Sequence, residues 1–242
     1  MRFSKVIGHR GAALLAPENT LAGFKKAAEL GCRMVEFDVR LSRDGVPVVF
    51  HDERLERVTD GKGMVGGTLF DGLKALDAGA HFSPAYKGEP IPSLAEALAA
   101  LGSLGLAFDL ELKAEPGRER ALADAVATLL ERSWSASLPP PLLTSFEAAA
   151  LAALQARAPA IARGYLVEVL PRDWRAALER LGACAVICDQ RRLAPEAVRA
   201  VKAAGYPLLA YTVNHVERAL KLLGEGVDAV ISDMPDVLMA AL

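Results

Sequence analysis

Short apolar runs of extended character alternate along the chain with longer runs whose apolar positions recur at helical spacing. The extended runs are Lys5–Gly8, Met34–Val39, Leu106–Leu112, Leu142–Ser145, Ile161–Leu166, Ala185–Cys188, Leu208–Val213 and Ala229–Ser232. Helical patterns lie between them at Thr20–Leu30, Ser93–Leu101, Arg118–Arg132, Phe146–Arg157, Arg172–Leu181, Pro195–Ala204 and Val216–Leu223, with a last short one opening near Pro235. This alternation predicts a parallel sheet covered by helices. The punctuation fits: Asn19 is placed to cap the first helix and Gly31 to close it, while Pro195 opens a later helix and Gly205 closes it.

One run, Pro47–Phe50, breaks the alternation, because it follows Met34–Val39 after a connection carrying Asp44-Gly45. A parallel crossover needs a dozen or more residues, so these two runs pair as an antiparallel hairpin, for which Asp-Gly is a favoured turn. Setting the hairpin aside leaves eight parallel strands and predicts a (β/α)8 TIM barrel spanning 1–242 as a single catalytic domain. The Gly-rich stretch at about 53–90 reads as a small loop-rich insertion after the second strand. A doubly wound open sheet is the alternative, but no G-x-G-x-x-G opens the first helix.

Composition narrows the class. The chain has 242 residues, 52% of them hydrophobic, enough for one sizeable core. Its 28 basic and 30 acidic residues give a formal charge of −2, which argues against a general nucleic-acid binder. Cys32, Cys184 and Cys188 make neither a disulfide framework nor a C-x-x-C pair, and all three read as buried packing groups of a reducing compartment. No apolar stretch is long enough to span a bilayer, and His9 and Arg10 interrupt the apolar run behind Arg2 and Lys5, so a cytoplasmic protein without stable membrane insertion is expected.

In such a barrel the active site lies at the C-terminal ends of the strands. There the sequence places His9-Arg10, Glu36 and Asp38, His51-Asp52, and Glu111 with Lys113. Residues two apart on a strand face the same side, so Glu36 with Asp38, and likewise Glu111 with Lys113, can face inward together at the barrel mouth. Three converging carboxylates, Glu36, Asp38 and Glu111, make a hard oxygen site of the kind Mg²⁺ or Ca²⁺ prefers. The hairpin brings His51 level with these carboxylates, and His9 ends the adjacent strand. Two imidazoles can serve as base and acid, and Arg10 and Lys113 can clamp a phosphoryl oxygen. The bland reading makes Arg10 and Lys113 ion-pair partners of the carboxylates. His81 and His215 read as ordinary loop residues, and some of Phe82, Tyr86, Phe146, Tyr165, Tyr211 and Met234 are candidates for the pocket wall.

The ordered set His9-Arg10-Gly11, Pro17-Glu18-Asn19-Thr20, Glu36-x-Asp38, His51-Asp52 and Glu111-x-Lys113 resembles the glycerophosphodiester phosphodiesterases. Ile91-Pro92-Ser93-Leu94, Ser145-Phe146, Thr212-Val213-Asn214 and Ser232-Asp233-Met234-Pro235 extend the resemblance over nearly the whole chain. It implies the same barrel and metal-dependent hydrolysis of a small-molecule glycerophosphodiester to glycerol 3-phosphate and an alcohol. By position it makes His9 and His51 the acid and base, and Glu36, Asp38 and Glu111 the metal ligands. Arg10 and Lys113 match phosphate contacts, and Asn19 a supporting residue. Tyr211 and Asp109 depart from the family pattern, where Trp and Asn are common. A two-histidine barrel phospholipase acting on lysophospholipid is the alternative, and no apolar, membrane-facing rim is visible in the sequence to favour it. A non-catalytic phosphate-binding barrel would not need the full residue set.

Overall fold

The computed structural model describes residues 3–135 and 138–242. Nine strands and nine α-helices follow one another among them. Eight of the strands are parallel: β1 (Val6–Gly8), β2 (Met34–Leu41), β4 (Ala107–Leu112), β5 (Leu142–Ser145), β6 (Ala162–Val167), β7 (Ala185–Asp189), β8 (Leu208–Tyr211) and β9 (Ala229–Ser232). Each hydrogen-bonds to its neighbours, and β1 pairs with both β2 and β9, so the sheet closes on itself as a (β/α)8 barrel. The ninth strand, β3 (Pro47–Val49), lies outside the ring and runs antiparallel to β2, with Val39 opposite Val49. The Asp44-Gly45 connection makes this hairpin, and Gly45 has φ 83°, a conformation glycine adopts without steric cost.

Alternation along the strands sorts side chains between two cores. On β2 and β4, Val35, Phe37, Val39, Phe108, Leu110 and Leu112 point outward onto the helices. Phe37 is the hub there, with ring centroids 5.2 Å from Phe24 of α1 (Leu21–Glu29) and 5.5 Å from Phe108. The intervening residues, Glu36, Asp38, Asp109 and Glu111, face the barrel interior. Below them the barrel is filled by Ile7, Met34, Ile187, Leu209, Ala229 and Ile231. Gly164 is required by this packing, because a Cβ there would stand 2.5 Å from Ile187 Cδ1.

The outer layer runs α3 (Leu94–Leu104), α4 (Glu119–Ser133), α5 (Ala148–Arg157), α6 (Trp174–Leu181), α7 (Pro195–Ala203), α8 (Val216–Gly224) and α9 (Pro235–Ala240). The stretch from 53 to 90 is more ordered than its Gly-rich composition suggests. It carries two 3-10 turns and the short helix α2 (Phe70–Lys74), and it closes over Val48, Phe50, Leu55, Val58, Val65 and Leu73 as an apolar cluster of its own.

Two local expectations are corrected. Thr20, not Asn19, caps α1: its Oγ1 accepts from the Gly23 amide at 3.0 Å, and Asn19 turns away with φ 56°. Cys184 is exposed just before β7, whereas Cys32 and Cys188 are buried. Cys184 lies one residue ahead of β7, whose five residues are all buried.

Candidate active site

The register of the barrel builds the site. Glu36 pairs with Asp109 and Asp38 with Glu111 across β2 and β4, so four carboxylates enter the barrel at two adjacent levels. All four are buried. Ligand oxygens of Glu36, Asp38 and Glu111 all lie within 4.8 Å of one another. The cost of this crowding is visible in their acidities. Burial, reinforced by Asp38, Glu111 and Asp109, holds the Glu36 carboxyl well above the usual carboxylate range. Burial likewise raises Glu111, with Asp38 adding to it, and pushes Asp109 up to about 7. Asp38 goes the other way. Burial opposes its ionisation, but Arg10, His51, Lys113 and the Asn19 amide outweigh burial and lower its pKa.

A divalent cation fits this arrangement. The donors are hard oxygens, they converge on one point, and positive charge there would relieve a repulsion that the protein's own cations neutralise for Asp38 alone. Glu36, Asp38 and Glu111 therefore could hold such an ion. Asp109 stands outside the trio: Thr144 Oγ1 donates to its Oδ1 at 2.7 Å, and its Oδ2 has no hydrogen-bond partner among the described residues.

Asn19 is the buried support of the trio. Its Nδ2 donates to Asp38 Oδ2 at 2.8 Å, and its Oδ1 accepts from the Asp38 amide at 3.2 Å. This two-way pairing explains why a non-glycine residue is held in the left-handed region here. Arg10, at φ 49°, is the other such residue, and its backbone amide donates to Glu36 Oε2 at 3.1 Å.

Both expected histidines open onto the same mouth, and each is gripped by an aspartate. His9 Nδ1 donates to Asp233 Oδ1 at 2.5 Å, leaving Nε2 3.8 Å from Glu36 Oε2. Asp233 is fixed in turn by Asn214, whose Nδ2 donates to its Oδ2 at 2.7 Å. His51 Nδ1 donates to Asp52 Oδ1 at 2.6 Å. A carboxylate can only accept, so Nδ1 carries the proton in both rings and Nε2 is the nitrogen free for chemistry. Burial lowers the His51 pKa, with Arg10 and Lys113 adding to it against Asp38 and Asp52. Asp52 is the next residue after its partner His51, whereas nothing local marks Asp233 as the partner of His9, 224 positions away.

Arg10 and Lys113 stand where the sequence places them. Arg10 Nη1 donates to Glu18 Oε1 at 2.8 Å and its Nε lies 3.3 Å from Asp38 Oδ2. Lys113 Nζ lies 2.9 Å from Glu111 Oε1 and 3.7 Å from Asp38 Oδ1. Both are ion-paired to the carboxylates and both face a cavity of 240 Å³. His9, His51, Glu36 and Glu111 line the same cavity, while Asp38 and Asn19 lie behind its wall. Phe146, Leu166, Tyr211 and Ile231 also line it, together with the charged Glu168, Asp189 and Arg191. Phe146 and Tyr211 meet edge to face at 5.9 Å, and the Tyr211 hydroxyl donates to the Val167 carbonyl. Phe82, Tyr86, Tyr165, Met234, His81 and His215 do not line it.

The glycerophosphoryl diester phosphodiesterase family model matches residues 9–237. The chain belongs to the glycerophosphoryl diester phosphodiesterase family. It is 34% identical over 239 residues to a glycerophosphodiester phosphodiesterase of Caldanaerobacter subterraneus, covering 97% of this chain and 96% of the relative. Among solved structures it is similar to an Oleispira antarctica phosphodiesterase in complex with sn-glycerol-3-phosphate, with TM-score 0.96 and 42% identity, covering 98% of this chain and 96% of that one. A glycerophosphodiester phosphodiesterase from Agrobacterium tumefaciens has TM-score 0.84 and 28% identity, covering 98% of this chain and 100% of that one. The protein is thus a phosphodiesterase with the family's barrel. No helix among the described residues is long and apolar enough to cross a membrane.

Proposed function

We propose that this phosphodiesterase hydrolyses small glycerophosphodiesters to glycerol 3-phosphate and an alcohol, with His9 and His51 as the acid–base pair. The observation that carries this reading is the pair of Asp-held imidazoles, His9–Asp233 and His51–Asp52, opening on one cavity beside three buried carboxylates. The sn-glycerol-3-phosphate bound by the Oleispira relative supports the same product.

The geometry supports a role for each group. The substrate phosphate enters between Arg10 and Lys113, which offset charge on its oxygens. One imidazole Nε2 takes the proton of the attacking hydroxyl, supplied by water or by the substrate glycerol. A new P–O bond forms, the P–O bond to the alcohol breaks, and the other ring, protonated on both nitrogens as an imidazolium, gives its Nε2 proton to the departing oxygen. Where the glycerol hydroxyl attacks, the product is a cyclic phosphate, which water opens to glycerol 3-phosphate in a second step with the two rings exchanging roles. Asp52 and Asp233 keep each ring in one tautomer and favour its protonated form as it arises. Glu36, Asp38 and Glu111 would hold a divalent cation, Mg²⁺ or Ca²⁺, which would supply Lewis-acid charge to the reaction. Phe146 and Tyr211 provide an apolar wall for the carbon skeleton of the substrate.

Incubation with glycerophosphocholine, glycerophosphoethanolamine and glycerophosphoglycerol, followed by enzymatic detection of glycerol 3-phosphate, tests the reading. Release of glycerol 3-phosphate from at least one diester is expected; release of a phosphorylated alcohol with free glycerol from all of them would contradict it.

A further inference from the structure

Outside the cavity, Arg57 lies in the stretch after the hairpin and makes four hydrogen bonds to two carboxylates. Its Nε and Nη2 donate to Asp52 Oδ2 and Oδ1 at 2.6 and 3.0 Å. Its Nη1 and Nη2 donate to Glu18 Oε2 and Oε1 at 2.8 and 2.7 Å. Each of those carboxylates holds a group at the mouth: Asp52 holds His51 Nδ1, and Glu18 holds Arg10 Nη1. A continuous chain therefore runs from His51 through Asp52, Arg57 and Glu18 to Arg10.

We infer that Arg57 is a positioning residue for the phosphodiesterase reaction, holding His51 and Arg10 in fixed relation by gripping Asp52 and Glu18 with one guanidinium. The inference rests on the acid–base reading of His51 above. An exposed ion pair usually contributes little, but this one differs in two ways. Both carboxylates are largely covered, with side chains 25% and 15% exposed. Each also receives two N–H groups, a planar fork geometry that a lysine ammonium cannot reproduce. Without Arg57, Asp52 keeps only His51 as a side-chain partner among the described residues, and its carboxylate is free to turn the ring with it. Glu18 is left on Arg10 alone, so the Arg10 guanidinium loses the outer anchor of its partner. The connection also ties the 53–90 stretch to the catalytic face through a contact 39 positions apart in sequence.

The test is steady-state hydrolysis of glycerophosphocholine by the wild type, Arg57→Ala and Arg57→Lys, with the melting temperature of each measured alongside. For Arg57→Ala, kcat is expected to fall about 10²-fold, the order of loss for a small misplacement of a reacting group, with KM changing far less. Arg57→Lys should recover only part of that loss. Millimolar methylguanidinium should raise kcat of Arg57→Ala by about tenfold, and methylammonium should not, because only the former offers a planar fork. A folded Arg57→Ala with wild-type kcat overturns the inference while leaving the acid–base reading intact. If Arg57→Ala does not fold, wild-type kcat in Arg57→Lys overturns it and a reduced kcat in a folded Arg57→Lys supports it. A wild type that releases no glycerol 3-phosphate overturns both.

Discussion

His9 Nδ1 stands 2.5 Å from Asp233 Oδ1, which links the end of β1 to the end of β9 at the seam where the barrel closes. The hydrogen bond leaves Nε2 as the nitrogen open to the cavity, and Asn214 fixes the aspartate at both its carboxylate and its backbone amide. Asp233→Asn keeps the shape but replaces an acceptor-only group with one that can rotate and donate, so the ring loses its enforced tautomer. The expected outcome is a kcat lower by about 10²-fold or more with a folded protein, since general acid–base catalysis contributes about 10²–10⁴-fold. Steady-state kinetics and a thermal melt check it.

Asp109 gives a pH prediction. Its folded pKa is pushed up to about 7 by burial, whereas an unfolded Asp titrates near 3.9. Between about pH 4 and 7 the folded state binds more protons, so this group makes the metal-free protein less stable as pH rises through that window. Asp109→Asn removes the penalty. In EDTA its melting temperature is expected to exceed that of the wild type at pH 8, and the difference should shrink toward pH 4. A gain that grows as pH falls would contradict the assignment.

The convergence of Glu36, Asp38 and Glu111 predicts cation binding that can be read without turnover. Mg²⁺ or Ca²⁺ at about 100 times Kd is expected to stabilise the protein by about 2.7 kcal/mol, seen as a raised melting temperature. Glu36→Gln removes one charged ligand and should reduce that shift at the same ion concentration. EDTA should abolish hydrolysis by the wild type, and either ion should restore it.

Much of this site was legible because barrel topology converts sequence position into spatial position. Strand-end residues must share one rim, so the topology alone brings His9, Glu36, Asp38, Glu111 and Lys113 together. The Asp44-Gly45 turn was decisive, because it took β3 out of the strand count and set His51 level with Glu36 and Asp38. What stayed hidden acts through long-range side-chain contacts. Asn19 reads as a helix cap by residue type, but the tight β1–α1 loop sends its amide to Asp38 and leaves capping to Thr20. Asp233 and Arg57 carry no periodic signal, and their partners lie 224 and 39 positions away. Within the loop-rich 53–90 stretch the one α-helix, α2, is five residues long, too short to show a helical period in the sequence.

Two carboxylate-held histidines at one barrel mouth are proposed to carry the proton transfers of diester cleavage. The most direct measurement is kcat for glycerol 3-phosphate release from glycerophosphocholine by the wild type, His9→Ala and His51→Ala, with bound Mg²⁺ and unchanged melting temperature verified for each. Each variant is predicted to lose about 10²–10⁴-fold in kcat. Turnover within a few-fold of the wild type in either folded, metal-loaded variant would contradict the claim.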